Sequence, residues 1–302
     1  MNQPVYHIPA LLSETLEALD IKPDGVYVDA TFGGGGHSRA IVERLGEKGH
    51  LYSFDQDEDA VERAFSDSRF TMVYGNFRFL RNFLRFYKVE SVDGILADLG
   101  VSFHHFDDAS RGFSFRSDSR LDMRMNRRAK LSALDVINNF SEERLADILH
   151  LYGEVAKARP MARAIVKARN VGAITTVGQL IAVVEPFIDK RREKKDLACV
   201  FQALRIEVNG ELNALRDFLL QARAVLKPGG RLAVITYHSL EDRLVKNFIR
   251  SGNFEGKLET DIFGRSNVPL KAINSKPIVA SDAEIEANPR SRSAKLRVAV
   301  KI

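Results

Sequence analysis

A strand, a glycine turn and a helix follow one another near the start of this chain, and this succession constrains the fold more than any other feature. The apolar residues Val26, Val28 and Ala30 indicate a buried strand, and four consecutive glycines, Gly33–Gly36, follow it. Glycines let the backbone turn sharply and approach a ligand closely. The segment Arg39–Leu45 continues as a helix, whose start offers unpaired N–H groups and a positive dipole end. The sequence therefore predicts a nucleotide-type cofactor with an anionic group at this turn.

The spacing of glycines and acids narrows the kind of cofactor. A dinucleotide fingerprint needs a third glycine where this chain has Ser38 or Arg39, so NAD is disfavoured. Asp29 ends the first predicted strand, and Asp55 closes the second, about 20 residues after the last glycine, where such folds place a ribose-binding acid. This layout resembles the S-adenosylmethionine (SAM)-dependent methyltransferases. The alternative to a cofactor site is a tight turn that only packs the helix against the sheet.

Alternating predicted strands and helices in the first third of the chain are typical of a parallel sheet. The alternation stops after Asp98–Ser102 and resumes with a long amphipathic helix, Gln202–Leu226. A connection of that length folds by itself in a compact protein. We therefore expect an α/β, Rossmann-like methyltransferase sheet formed by residues 1–103 and 204–302, with an inserted helical domain at 104–203. The predicted strands are Val26–Ala30, His50–Phe54, Phe70–Val73, Val92–Ala97, Arg231–Tyr237 and an antiparallel Ala294–Lys301.

Polar and aromatic residues follow the predicted strands at the edge where a doubly wound sheet binds its ligand. After the third strand comes Phe77, whose ring either stacks on an adenine or joins the core. Asp98 follows the fourth strand as an acceptor for an amine, a cofactor ligand or a strand-end cap. The segment Tyr237–Ser239 follows the fifth, and within it His238 is either catalytic or a satisfied structural group. The acids after His238 fit the first turn of another helix.

Composition limits the class of protein. The single cysteine, Cys199, excludes an internal disulfide, and seven scattered histidines form no zinc-like pattern, so we expect metal-free chemistry in a reducing compartment. The sequence shows neither a signal peptide nor a membrane span, so we expect a cytoplasmic protein. Residues 104–203 contain 18 Lys and Arg against 13 Asp and Glu, which accounts for the whole net charge of +5. Such a segment faces either phosphates or solvent.

Long blocks along the chain resemble one family, the bacterial 16S ribosomal RNA cytosine-N4-methyltransferases (RsmH/MraW). The resemblance spans nearly the whole sequence, including the insertion, and is more specific than the glycine turn. The blocks that carry it are His7–Leu12, Asp29–Ser38, Asp93–Ser102, Arg111–Phe115, Leu121–Met125, Phe201–Leu212, His238–Arg243 and Asn288–Arg297.

The resemblance implies methylation of the exocyclic N4 of one cytidine in the decoding region of the small ribosomal subunit, with SAM as donor. It implies cofactor contacts at Gly35, Gly36, His37, Asp55, Phe77, Asp98 and His105. His105 stands where the family commonly has glutamine, and Phe103 and His104 replace a usual Ser-Pro pair. A second departure is Lys195–Cys199, where the family tends to have a His-Pro-Ala-Thr-Arg-like run.

The expected partner is 16S rRNA, contacted by basic side chains. Neither a membrane nor DNA is expected as a partner. A homodimer is compatible with the sequence. A methyltransferase acting on DNA amines or on protein side chains, and an RNA-binding assembly factor without activity, are the alternatives. The candidate phosphate contacts are Arg111, Arg116, Arg120, Arg124, Arg127, Arg128, Lys190–Arg192, Arg290 and Arg292.

Overall fold

An eight-stranded sheet forms the centre of the first of two structural units in the computed structural model, which describes residues 9–101, 108–260, 263 and 268–302. The first unit comprises residues 1–100 and 212–302, and the second comprises residues 101–211. Among the described residues the strand order is β3-β2-β1-β4-β5-β8-β6, with β7 also paired to β8. The strands are β1 Val26–Asp29, β2 His50–Asp55, β3 Phe70–Tyr74, β4 Val92–Asp98, β5 Leu226–Thr236, β6 Leu270–Ala272, β7 Ile278–Val279 and β8 Lys295–Lys301.

Strands β1 to β5 run parallel, and β8 runs antiparallel to β5, β6 and β7. The predicted α/β fold is thereby confirmed, and the predicted strands lie within a residue or two of the observed ones, apart from the earlier start of β5. The chain passes from β3 to β4 across β1, so the strand order reverses beside β1. Ligands of such sheets bind at this reversal, outside the carboxyl ends of the strands.

Helices cover both faces of the sheet. Along β5, Val234 packs with Phe218 and Phe248 on one face, whereas Ile235 packs with Leu16 and Ile41 on the other. This alternation is the period of two expected in a strand, and both faces are apolar because both are covered. The helices of this unit are Leu12–Leu19, Gly36–Val42, Glu58–Val61, Leu80–Phe86, Glu211–Val225, Ser239–Ser251 and Asp282–Ala287.

The second unit is helical, and its core is formed by residues such as Ile137, Leu149, Ile165 and Leu204. Its helices are Ala133–Asn139, Glu142–Leu151, Ala158–Arg169, Val177–Val184 and Glu193–Asn209, with short 3-10 turns at Ala109–Arg111, Glu185–Phe187 and Lys190–Arg192. Across the described ranges of both units, none of the helices combines the length and the apolar character needed to span a bilayer.

Two predicted helices end earlier than expected. Apolar spacing at i, i+3 and i+4 predicts one helix over Val177–Ile188, but the helix stops at Val184, because Pro186 follows and starts a 3-10 turn. The predicted single helix Gln202–Leu226 is wrong: Gly210 adopts a left-handed φ of 59° and separates two helices. A glycine in this conformation is a common helix terminus. The apolar periodicity continues on both sides of Gly210, so the sequence pattern alone predicts one helix instead of two.

Candidate functional site

The glycine turn connects β1 to the helix Gly36–Val42 and combines two tight contacts with one open position. Gly35 has a left-handed φ of 77°, and a Cβ there would lie 2.7 Å from the ring of Phe32. A Cβ on Gly36 would lie 2.8 Å from Pro9, whereas none of the described atoms lies within 4 Å of the Cβ position of Gly34. Packing therefore explains glycine at 35 and 36, and the backbone at Gly34 is open to close approach by a ligand.

Asp55 joins the end of β2 to this turn. Its Oδ2 accepts a hydrogen bond of 2.9 Å from the Gly33 N–H, and its Oδ1 accepts one of 2.9 Å from the Asp57 N–H. The carboxylate is half-buried and held at the turn. A carboxylate accepts hydrogen bonds from hydroxyl groups, and Asp55 places one beside the glycine turn.

Asp29, at the end of β1, lies inside the protein. The hydroxyl of Ser38 donates to its Oδ2 at 2.6 Å, and the Thr31 N–H donates to its Oδ1 at 3.1 Å. Ser38 also lies 2.8 Å from the hydroxyl of Ser53 on β2. Burial raises the pKa of Asp29 to about 7 against the opposing effect of these hydrogen bonds. The residue therefore ties the helix that follows the glycines to the strand that precedes them.

Asp98, at the end of β4, has three polar neighbours from other segments of the same unit. The Tyr237 hydroxyl donates to its Oδ1 at 2.8 Å, and its own N–H donates to Thr31 Oγ1 at 2.7 Å. His37 Nδ1 lies 3.7 Å from its Oδ2. Burial raises the pKa of Asp98 to about 7, although its side chain stays 22% exposed. A carboxyl group with such a perturbed pKa at a strand end is typical of a functional site.

His37 is neutral and oriented by the backbone. Its Nε2 lies 3.2 Å from the carbonyl oxygen of Ala10, so Nε2 carries the proton that it donates there. Burial lowers the pKa of His37 to about 4, which keeps the ring uncharged at neutral pH. Nδ1 therefore presents a lone pair towards Oδ2 of Asp98, an arrangement that favours the protonated form of that carboxyl group.

Tyr237 has a role that sequence reasoning missed. The sequence places it at the ligand-binding edge without assigning it a contact. Burial first, and then the neighbouring Asp98, raise the pKa of its hydroxyl far above the usual value, so it stays protonated and donates. The signal that could have found it is its position directly after β5, one strand away from Asp98.

Phe77 and His238 both take structural contacts. The half-buried Phe77 ring meets Phe218 edge-on, with 5.3 Å between ring centres, so part of it joins the core. His238 caps the helix Ser239–Ser251, with its Nδ1 accepting from the Glu241 N–H, while Glu241 accepts in return from the His238 N–H. The predicted acidic first turn of this helix is confirmed. Adenine stacking by Phe77 and catalysis by His238 stay predictions.

Two of the basic residues proposed for a phosphate path are committed to internal bonds. Arg111 is 3% exposed, and its guanidinium donates to the carbonyl oxygens of Arg124 and Met125. Arg124 forms paired bonds of 2.8 and 2.7 Å with Asp122 and a third with the Ala129 carbonyl oxygen. The remaining candidates, Arg116, Arg120, Arg127, Arg128, Lys190–Arg192, Arg290 and Arg292, are exposed.

His105 lies outside the residues that the structure describes, as do Phe103 and His104. The described cofactor candidates of the sheet unit, by contrast, gather at the carboxyl ends of its parallel strands. Gly35, Gly36 and His37 follow β1, Asp55 ends β2, Phe77 follows β3 and Asp98 ends β4.

Comparison with known proteins identifies relatives over the whole chain. The model of the MraW methylase family matches residues 4–302. Proteins named ribosomal RNA small subunit methyltransferase H are 61% identical over 297 residues in Phocaeicola vulgatus and 60% identical over 296 residues in Bacteroides thetaiotaomicron. These alignments cover 98% of this chain and 98% and 97% of the two relatives. An rRNA methylase from Streptococcus thermophilus aligns with a TM-score of 0.43 at 11% identity, covering 100% of this chain and 98% of that one.

Proposed function

The chain belongs to the MraW methylase family, and from this premise we propose that it methylates the exocyclic N4 of a cytidine in the decoding region of 16S rRNA. The methyl donor is SAM, and the reaction takes place on the small ribosomal subunit or its RNA in the cytoplasm. Relatives named small subunit methyltransferase over nearly their full length support the substrate class. The methylated atom of the base and the position of the cytidine in the RNA are tested by identifying the modified nucleoside.

The residues at the strand ends fit SAM. Asp55 has acceptor capacity for ribose hydroxyl groups, and the open backbone at Gly34 admits close approach. Phe77 offers the exposed part of a ring to the adenine. His37, which follows β1, and Asp98, which ends β4, lie with Nδ1 and Oδ2 3.7 Å apart. We assign His105 to the same site. When bound, SAM supplies an electrophilic methyl group on a positively charged sulfur.

Asp98 is the residue best placed to assist the nucleophile. A cytosine amine is a poor nucleophile because its lone pair is delocalised into the ring, so an acceptor for its N–H groups helps to localise that pair and stabilise the developing positive charge. The Tyr237 bond holds Oδ1 of Asp98, so we assign this work to Oδ2, which lies 3.7 Å from His37 Nδ1. A pKa of about 7 suits a group that takes up a proton near neutral pH.

Recognition of RNA falls to basic surfaces. The N4 group of a paired cytosine is engaged by guanine, so the target base must be unpaired or flipped out. We assign phosphate contacts in the inserted domain, residues 104–203, to the exposed side chains of Arg116, Arg120, Arg127, Arg128 and Lys190–Arg192. Arg111 and Arg124 leave that set because their bonds are internal.

The observation that carries the proposal is the convergence of Asp55, Asp98 and the glycine turn at one edge of the sheet in a methylase family. We would incubate the purified chain with methyl-labelled SAM and 16S rRNA, small subunits, DNA or protein, and identify the labelled nucleoside by mass spectrometry. N4-methylcytidine in rRNA is the expected product. Label in DNA or protein would mean that the substrate is that molecule and not rRNA. No label in any acceptor would favour an RNA-binding assembly factor without methyltransferase activity.

A further inference from the structure

The segment after β3 exposes a group of cationic and aromatic side chains. It begins with the 3-10 turn Phe77–Phe79 and continues as the helix Leu80–Phe86. Leu80 and Leu84 are fully buried and fix one side of the helix in the core of the sheet unit. We call the exposed side the basic–aromatic face, formed by Phe79, Arg81, Arg85, Phe86 and Lys88.

The segment that forms this face carries cations but no acidic residue. Residues 77–89 contain four basic side chains and no Asp or Glu. Arg78 pairs with Asp217, but in the part of the chain that the structure describes Arg81, Arg85 and Lys88 form no ion pair. Like charges three and four positions apart weaken a helix. This row of cations is therefore unfavourable for the isolated helix and becomes favourable beside an anionic partner.

The same segment also exposes two aromatic rings. Phe79 is 50% exposed and Phe86 is 78% exposed. Single exposed apolar residues are common on proteins, but two exposed rings in the same short segment as three exposed cations form a specific combination. Proteins that bind single-stranded nucleic acid use it, because rings stack on bases while cations contact phosphates. A duplex offers its phosphates but keeps its base faces stacked, so the rings favour single strands.

The face is anchored and begins at the proposed site. The Arg81 N–H donates to Gln221 Oε1 at 2.9 Å, and Gln221 also donates to the Arg78 carbonyl oxygen, which fixes the helix against Glu211–Val225. Phe77, at the carboxyl end of β3, is the residue assigned to the cofactor, and the helix leads away from that edge of the sheet.

We propose that the basic–aromatic face binds single-stranded ribosomal RNA that flanks the target cytidine. The inference rests on the proposed function and extends it to a surface of the sheet unit, separate from the arginines of the insertion. RNA is favoured over a protein partner because three unpaired cations, rather than apolar area, dominate the face.

The test measures the affinity of the full chain for a fluorescent single-stranded fragment of the 16S rRNA decoding region over a range of salt concentrations. Arg81→Glu combined with Arg85→Glu should lower the slope of log K against log salt by about 1.4, since each phosphate contact to a single strand contributes about 0.7. Phe86→Leu should weaken binding about 5- to 100-fold without changing the slope, because stacking is lost and charge is kept.

A matched control reverses two cations elsewhere. Arg44→Glu combined with Lys48→Glu makes the same change in charge on exposed residues that precede β2, at the opposite end of that strand from Asp55. The control should keep the wild-type slope, and SAM affinity should be unchanged in every variant. Arg81→Gln combined with Arg85→Gln serves as a second variant in case charge reversal disturbs folding.

Equal slopes and affinities for the Arg81/Arg85 variants and the control would overturn the inference. It would also be overturned if Phe86→Leu bound RNA normally but lost self-association or binding to purified ribosomal proteins, since the face would then serve protein. Failure of the proposed function gives a different pattern: wild-type chain would methylate no cytidine, while the Arg81/Arg85 substitutions would still lower the salt slope.

Discussion

Two pairs of aspartates, one pair in each unit of this chain, lie in opposite electrostatic environments. In the sheet unit, burial raises the pKa of Asp29 and of Asp98 to about 7. In the inserted unit, hydrogen bonds from Ser132 lower the pKa of Asp135, and those from Arg124 more than offset burial at Asp122, whose pKa is also lowered. Asp29 and Asp98 therefore change protonation state near neutral pH, whereas Asp122 and Asp135 stay ionised there.

This difference separates residues available for chemistry from residues that hold the fold. Asp135 completes a capping box with Ser132, and Asp122 forms the paired bonds with Arg124, so these charges of the insertion are used internally. Asp98 is instead a partly exposed group with one oxygen bound by Tyr237. A count of charges in the insertion therefore says little about RNA, whereas a perturbed acid at a strand end indicates a site.

The largest effect should follow removal of the carboxylate at the sheet edge. Asp98→Asn should lower kcat/KM for methyl transfer about 100-fold or more, the usual range for a group that handles a proton. The free energy of unfolding should not fall, since a neutral amide suits a buried position. Steady-state kinetics and urea denaturation measure both quantities. Full activity of Asp98→Asn would contradict the distinction between aspartates available for chemistry and aspartates that hold the fold.

The SAM dissociation constant of the same variant separates the alternatives for Asp98. An amine acceptor predicts a lower kcat with unchanged SAM affinity, and a cofactor ligand predicts weaker SAM binding. Isothermal titration on folded protein gives the answer, with Tyr237→Phe as the variant that removes only the bond to Oδ1.

Loss of a buried arginine should destabilise the insertion. Arg111→Met should lower the free energy of unfolding by about 3 kcal/mol, because two buried carbonyl oxygens lose their donor. Arg127→Met, at an exposed position, should stay within about 0.5 kcal/mol of the wild type. Urea denaturation of the full chain compares the pair. Equal stability of the two variants would mean that Arg111 contributes no more than a surface residue.

Asp55→Ala should weaken SAM binding about 10- to 150-fold, because charge-assisted hydrogen bonds are worth about 1.5–3 kcal/mol. Part of this effect arises through the glycine turn, since the Gly33 N–H loses its acceptor as well. Asp55→Asn, which retains one acceptor oxygen, should lie between the alanine variant and the wild type. An unchanged dissociation constant for folded Asp55→Ala would exclude Asp55 from the cofactor site.

The last effect concerns pH. Asp29 has a raised pKa in the folded state, so the folded protein binds its proton more tightly than the unfolded chain does. Its contribution to stability is therefore present below about pH 4 and is lost as pH rises towards 7, with a slope of at most about 1.4 kcal/mol per pH unit. Asp29→Asn should remove this slope, whereas Asp122→Asn should leave the slope between pH 4 and 8 unchanged, because the lowered pKa of Asp122 confines its own titration to below about pH 4. Denaturation from pH 4 to 8 measures it, and identical pH profiles would contradict the assignment.

Residues at strand ends could be predicted because parallel topology fixes where strand ends meet. Asp55 and Asp98 lie at the expected edge for that reason. The bond from Tyr237 to Asp98 and the burial of Arg111 could not be predicted, since each depends on partners from distant segments. Gly210 shows the same limit within a helix, where periodicity continues across a break that the backbone conformation makes.

The most direct test of the central claim is mass mapping of modified nucleosides in 16S rRNA from cells that lack this chain. We expect one cytidine of the decoding region to lose its N4 methyl group, to regain it when the wild-type chain is restored, and to regain little of it with Asp98→Asn. An unchanged methylation map in the cells that lack the chain would contradict the account.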